Sequence, residues 1–128
     1  MLESNIELAK RFVSSKYWIW TSGMMRLRLT QPNMRDFLKR EGRVSEYDEW
    51  PYGEWPVIPD IEDPATIGCI LFLVRKLYND SCVCIIPIDY GPAGVMWQCR
   101  LTAGGRQLTQ RHFTTEVEAL LAAMESIQ

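Results

Sequence analysis

Apolar and polar positions alternate with two periods along this chain, and the switches between them mark the elements. Leu2, Ile6, Ala9 and Val13 fall on one face at helical spacing, with Phe12 beside them, so "SNIELAKRFVSSK" predicts a helix. Ser4 and Glu7 have capping-box spacing, and Lys10, Arg11 and Lys16 lie toward the C-terminal half, where the helix dipole favours cations. "YWIWTSGMMRLRL" suits a strand: its residues are aromatic and aliphatic, "MRLRL" alternates, and Gly23 marks a break or bulge. "QPNMRDFLKREG" predicts a short helix, with Met34, Phe37 and Leu38 on one face and Gly42 as the residue after its end.

The second half is more regular. In "DPATIGCILFLVRKLYND" Asp63 is placed to accept hydrogen bonds from the first helical turn, and Pro64 fits the first helical position. Ile67, Ile70, Leu71 and Val74 make one stripe, while Cys69, Phe72, Leu73 and Leu77 cover much of the rest. That pattern predicts a buried helix in which Gly68 lets a neighbour approach closely. "SCVCIIPID", "VMWQCRLT" and "RQLTQRHFT" read as strands joined by turns at "YGPAG" and "AGG". Val95, Trp97, Cys99 and Leu101 share one strand face. Thr115 then opens a helix with Glu118 at capping-box spacing and an apolar face of Val117, Leu120, Leu121 and Met124. The order α-β-α-loop-α-β-β-β-α gives an α+β domain, an antiparallel meander of three to four strands packed by helices. With 128 residues it is expected to be a single domain, long enough to bury roughly two-thirds of its unfolded surface without a disulfide or a metal.

Residues 45–62 break both periods. "EWPYGEWPVIPD" repeats Glu-Trp-Pro and carries Pro51, Pro56 and Pro59. Each lacks an N–H and holds the preceding residue extended, so the segment reads as a loop. Charge sharpens the contrast. Residues 1–43 hold nine Lys/Arg and four acids, residues 44–63 hold seven acids and no base, and the remainder balances five against five. A basic first third and an acidic segment are expected to neutralise each other in part. The net charge of −2 argues against general nucleic-acid binding. The longest apolar run, Ile67 to Val74, is too short to span a bilayer, and the start "MLESNIELAK" is polar. The reading is a cytosolic protein with reduced cysteines.

The string "DPATIGCILFLVRKLYND" resembles a "DPATxGCxLxLVRxxY" helix of small phage and prophage proteins, and "TEVEALLAAMES" is similar to their C-terminal "EAEALxAAxE" helices. The resemblance covers residues 60–128. It implies a viral accessory protein in the cytosol of a bacterial host, non-enzymatic, of a kind that often blocks host defences. It transfers no catalytic residue, and the step from such a likeness to function is analogy.

Chemistry-bearing patterns are sparse. His112 stands in a predicted strand as the single histidine, and no "GxSxG" elbow or "HExxH" motif is present. Cys82 and Cys84, two apart on a predicted strand, would share a face near Cys99 and Cys69. Small apolar cysteines packed in a core explain the four better than zinc does. "YGPAG" and "TAGGR" lack the spacing of phosphate-binding loops. The expectation is no enzyme, no metal and no cofactor.

Two binding surfaces remain. Tyr47, Trp50, Tyr52 and Trp55, set among acids, have the chemistry of protein-interface anchors and suit a basic target on a host defence protein. Tyr17, Trp18 and Trp20 near Arg26 and Arg28, with Arg106 further on, could stack on bases and hold phosphate. That second set supports an alternative function, a sponge sequestering a small cyclic nucleotide at the subunit interfaces of a homo-oligomer. Against it stands the plainer reading of the same aromatic side chains as core filling.

Overall fold

The computed structural model describes residues 3–29, 38–45, 57–101, 106–107 and 112–127, with backbone alone at 38, 39, 101, 106 and 107. The fold is α+β, in the order α1 (Glu3–Ser14), β1 (Met25–Leu29), β2 (Leu38–Arg43), β3 (Val57–Pro59), α2 (Pro64–Leu77), β4 (Cys84–Asp89), β5 (Val95–Leu101), β6 (Arg106–Gln107) and α3 (Glu116–Glu125). The strands make two antiparallel sheets of three, ordered β2-β1-β3 and β4-β5-β6. The chain divides into two compact units, residues 1–69 and 70–128, and the division falls inside α2.

In residues 1–69 the alternation of "MRLRL" is realised as predicted. Met25, Leu27 and Leu29 are buried, while Arg26 and Arg28 take the other face. Helix α1 packs beside β3 and buries Ile6, Ala9 and Phe12. It already runs through Glu3, so Ser4 lies inside the first turn rather than ahead of it as a cap. The short helix expected across "QPNMRDFLKREG" is not formed at its C-terminal end: residues 38–43 are β2, paired with β1 from Met25↔Arg43 to Leu29↔Leu38. Its residues Met34 and Phe37 lie outside the described residues. Helix propensity here loses to the ladder that an alternating neighbour offers. Gly42, at φ +91°, adjoins the register shift between Arg26 and Leu27, where Glu41 is the extra residue of a bulge.

The expected loop at 45–62 also ends in a strand. Val57–Pro59 pairs with β1 on the sheet edge, where a proline at the end of the strand is tolerated. Upstream, residues 17–24 form no strand, with turns at Tyr17 and at Ser22 and Gly23, and β1 begins only at Met25.

In residues 70–128, α3 packs against β5 and β4 and buries Val117, Leu120, Leu121 and Met124, with Ala119 and Ala123 completing the face. Thr115 caps it as predicted, accepting from the Glu118 N–H at 3.2 Å. The Glu118 carboxylate accepts from the Thr114 hydroxyl at 3.0 Å. Strands β4 and β5 pair over six positions, from Cys84↔Arg100 to Asp89↔Val95. Trp97 directs its N–H and C=O to Phe113, so its partner Pro87 sits at a non-hydrogen-bonded position of the β4–β5 ladder. The N–H that Pro87 lacks would point away from β5, which blunts that strand as a template for further pairing.

Helix α2 corrects a sequence expectation. Thr66, Ile70, Leu73 and Val74 are buried, but Ala65 and Gly68 are exposed and Phe72 is half exposed, with Lys76 Nζ 4.8 Å from its ring centroid. The helix is therefore two-sided rather than buried all round. A methyl group at Gly68 would meet nothing within 4 Å. Gly68→Ala should thus stabilise the protein by about 0.5–1 kcal/mol, read as a rise in the thermal midpoint, because alanine loses less backbone entropy in a helix. A fall would restore the close-packing role.

Candidate functional site

Of the residues singled out in the sequence, Tyr47, Trp50, Tyr52 and Trp55 lie outside the described residues, as does the Arg106 side chain. Tyr17, Trp18, Trp20, Arg26 and Arg28 are placed. Trp18 stands 5.7 Å from Phe12 and 5.3 Å edge-on from Trp20, ring centroid to centroid, and Phe12 is fully buried. The aromatic run therefore begins as core filling. Lys16 Nζ lies 5.0 Å over the Tyr17 ring.

The two arginines are committed inside their own sheet. Arg26 donates through Nε to the Gly42 carbonyl at 3.2 Å and through Nη2 to the Glu41 carbonyl at 3.4 Å. Arg28 Nε meets Glu41 Oε1 at 2.7 Å, with both side chains largely covered. A phosphate on this pair would have to displace those partners.

The basic first third and the acidic segment do meet. Arg40 Nη2 lies 3.4 Å from Asp60 Oδ2, and Asp60 also accepts from the Glu62 N–H. Arg43 grips Asp63 with both Nη atoms, at 2.7 and 3.1 Å, and Nη1 also donates to the Gly23 carbonyl at 3.0 Å. Asp63 Oδ2 accepts in addition from the N–H and hydroxyl of Thr66, at 3.0 and 2.8 Å, which is the predicted cap on α2. Thr66 Oγ1 in turn accepts from the Met25 N–H at 2.9 Å. The Arg43 hydrogen bonds hold the Asp63 carboxyl far below the usual carboxylate range, aided by those from Thr66 and opposed by desolvation. This node ties the end of β2, the turn before β1 and the start of α2.

All four cysteines carry thiols rather than disulfides. Cys82 sits in the turn before β4, not on the strand with Cys84 as expected, and its N–H donates to Asp80 Oδ1 at 2.8 Å. Cys99 is buried, and burial, then the nearby Cys84, pushes its thiol up to about 12. Burial also raises the Cys69 thiol, which donates to the Ser22 carbonyl. Among the described residues no group of three or more His, Cys, Asp or Glu could hold a metal ion. A thiol reagent should modify exposed Cys82 first in the native protein and reach Cys99 only on unfolding, a sequence that peptide mapping of a timed alkylation reads.

Residues 70–128 offer a surface that sequence reading passed over. Asp89 and Val95 close the β4–β5 hairpin, and Tyr90, Pro92, Ala93 and Val95 are all exposed at its tip, Tyr90 by 45% and Val95 by 50%. The tip is internally braced. Tyr90 N–H donates to the Gly94 carbonyl, Gly91 N–H to Asp89 Oδ1, and Gly94 N–H to the Gly91 carbonyl. The Tyr90 hydroxyl is hydrogen-bonded to His112 Nδ1, and the two rings stand 5.5 Å apart. The single histidine thus orients an exposed tyrosine. "YGPAG" read only as a turn; the signal was an aromatic residue beside a proline turn, with a histidine on the strand predicted to follow. Among the described residues, Phe72 and Ile19 are the other large apolar side chains turned outward, at 50% and 60% exposure.

No family model, no curated protein and no solved structure matches this chain. No helix among the described residues is long and apolar enough to cross a membrane.

Proposed function

We propose that this chain is a non-enzymatic binding protein that docks on a host protein, as phage accessory proteins that block host defences do. The hairpin tip at residues 89–95 carries the reading: an exposed aromatic side chain, flanked by Pro92, Ala93 and Val95, is held in place by His112. A tyrosine fixed before binding loses little rotamer freedom on binding, which is the usual property of an interface anchor. Tyr47, Trp50, Tyr52 and Trp55 supply further anchors, and the acids among them suit a basic target in the bacterial cytosol. The likeness of residues 60–128 to phage and prophage strings supports the same context.

The nucleotide sponge has less support, because Arg26 and Arg28 already donate to Gly42 and Glu41. The test uses Tyr90→Ser and Val95→Asp with tagged protein in bacterial lysate. Wild type should retain one protein in stoichiometric amount. Each variant should lose it while melting within about 2 °C of wild type, since both positions are exposed. Undiminished capture by both variants, or no capture by wild type, would contradict the reading.

A further inference from the structure

Helix α2 turns one face outward along its whole length. Ala65, Gly68, Phe72 and Lys76 recur at spacings of three and four on a single unbroken helix, and all four are exposed. Phe72 is 50% exposed, and one turn before it the space a side chain would fill at Gly68 is open, with no atom within 4 Å of the Cβ position. The face therefore carries a projecting ring and a hollow side by side. Its two ends bear opposite charges. The Glu62 carboxylate, just ahead of the helix, meets the neutral Asn5 amide at 3.1 Å, and Lys76, in the last turn, lies over the Phe72 ring. Among the described residues no opposite charge pairs with either. The neighbouring charges are already engaged: Asp63 with Arg43, and Arg75 with the Val83 carbonyl.

We propose that this face is a self-association surface, on which α2 pairs antiparallel with α2 of a second copy of the chain. The charge pattern selects the occupant. A two-fold antiparallel pairing sets Glu62 of one protomer against Lys76 of its partner, twice, and places the axis at Cys69, midway between them. In that register Phe72 of each protomer, three residues beyond the axis, falls opposite the hollow between Ala65 and Gly68 of its partner. One register thus supplies both the charge pairs and the ring-into-hollow packing. A parallel pairing would oppose Lys76 to Lys76 and align the two helix dipoles unfavourably. The contact is one helix wide, below the area of a permanent dimer, so the association is concentration-dependent.

Sedimentation equilibrium of the whole chain at low ionic strength tests this. The wild-type mass should rise from monomer toward dimer with concentration, and added salt should lower the dimer fraction. Lys76→Glu and Glu62→Lys each set like charges face to face at both ends of the contact, so each should weaken Kd about tenfold. An equimolar mixture of the two variants, and the double variant alone, both restore two opposite pairs and should return to within about twofold of wild type. Phe72→Ser should remove the dimer while the monomer melts within about 2 °C of wild type, since the ring is half exposed. A wild-type chain that stays monomeric at every concentration would overturn the proposal. So would a mixture and a double variant as weak as the single variants.

Discussion

Asp63→Ala should be among the most destabilising single changes in residues 1–69, costing about 3 kcal/mol in denaturant unfolding. The alanine removes the α2 cap, the acceptor of Thr66 N–H and hydroxyl, and the bidentate partner of Arg43. Thr66 Oγ1 also accepts from Met25 N–H, so loosening Thr66 disturbs the first residue of β1. Asp63→Asn separates the contributions. Asparagine caps a helix nearly as well, so it should cost only about 1 kcal/mol, chiefly the charge on a partly exposed pair. The pH dependence follows from the depressed carboxyl. With the folded pKa below the unfolded one, the contribution of Asp63 is fully present above the ordinary carboxylate range. It is lost as pH falls below about 4 toward the folded value. Wild type and Asp63→Asn should therefore converge in stability on acidification below pH 4. Parallel curves down to pH 2 would remove the node from the account.

Gly23→Ala is the second large effect expected. Gly23 has φ +105°, a conformation that L side chains rarely adopt, and a methyl group there would lie 3.3 Å from Cys69 Sγ. Its N–H donates to the Val44 carbonyl and its carbonyl accepts from Arg43, so the backbone cannot relax without losing both. Strain and crowding together should cost about 2 kcal/mol. Gly23→Ala with Cys69→Ala should recover the crowding part but not the backbone part. A Gly23→Ala protein that unfolds at the wild-type denaturant midpoint would refute the argument. The glycine that packs closely on this thiol is thus Gly23, not Gly68.

That reversal shows where sequence was informative. Local signals held: Asp63 and Pro64 start α2, Thr115 starts α3, and the alternation of "MRLRL" places Arg26 and Arg28 on one face of β1. Each depends on residues within one turn or one strand. Partners distant in sequence were not legible. Arg43 finds Asp63 20 residues away, and residues 38–43 become a strand because β1 is alongside, although their own pattern permits a helix. Gly68 was misread for the same reason, since helical periodicity cannot tell a face met by a neighbour from one met by solvent. The candidate surface was half legible. Tyr90 is visible as an aromatic residue beside a turn, but its hold on His112 depends on the bridge that sets Phe113 against Trp97 of β5.

The most direct test of a partner-binding role for the hairpin tip is site-specific photo-crosslinking. Benzoylphenylalanine would replace Val95 at the tip, or, as a control, exposed Ser81 at the opposite end of β4. In bacterial cells the Val95 position should give one dominant crosslinked protein that Tyr90→Ser suppresses, and the Ser81 position should give none. Equal crosslinking from both positions, or none from Val95 under conditions where the tagged protein is abundant, would contradict the account.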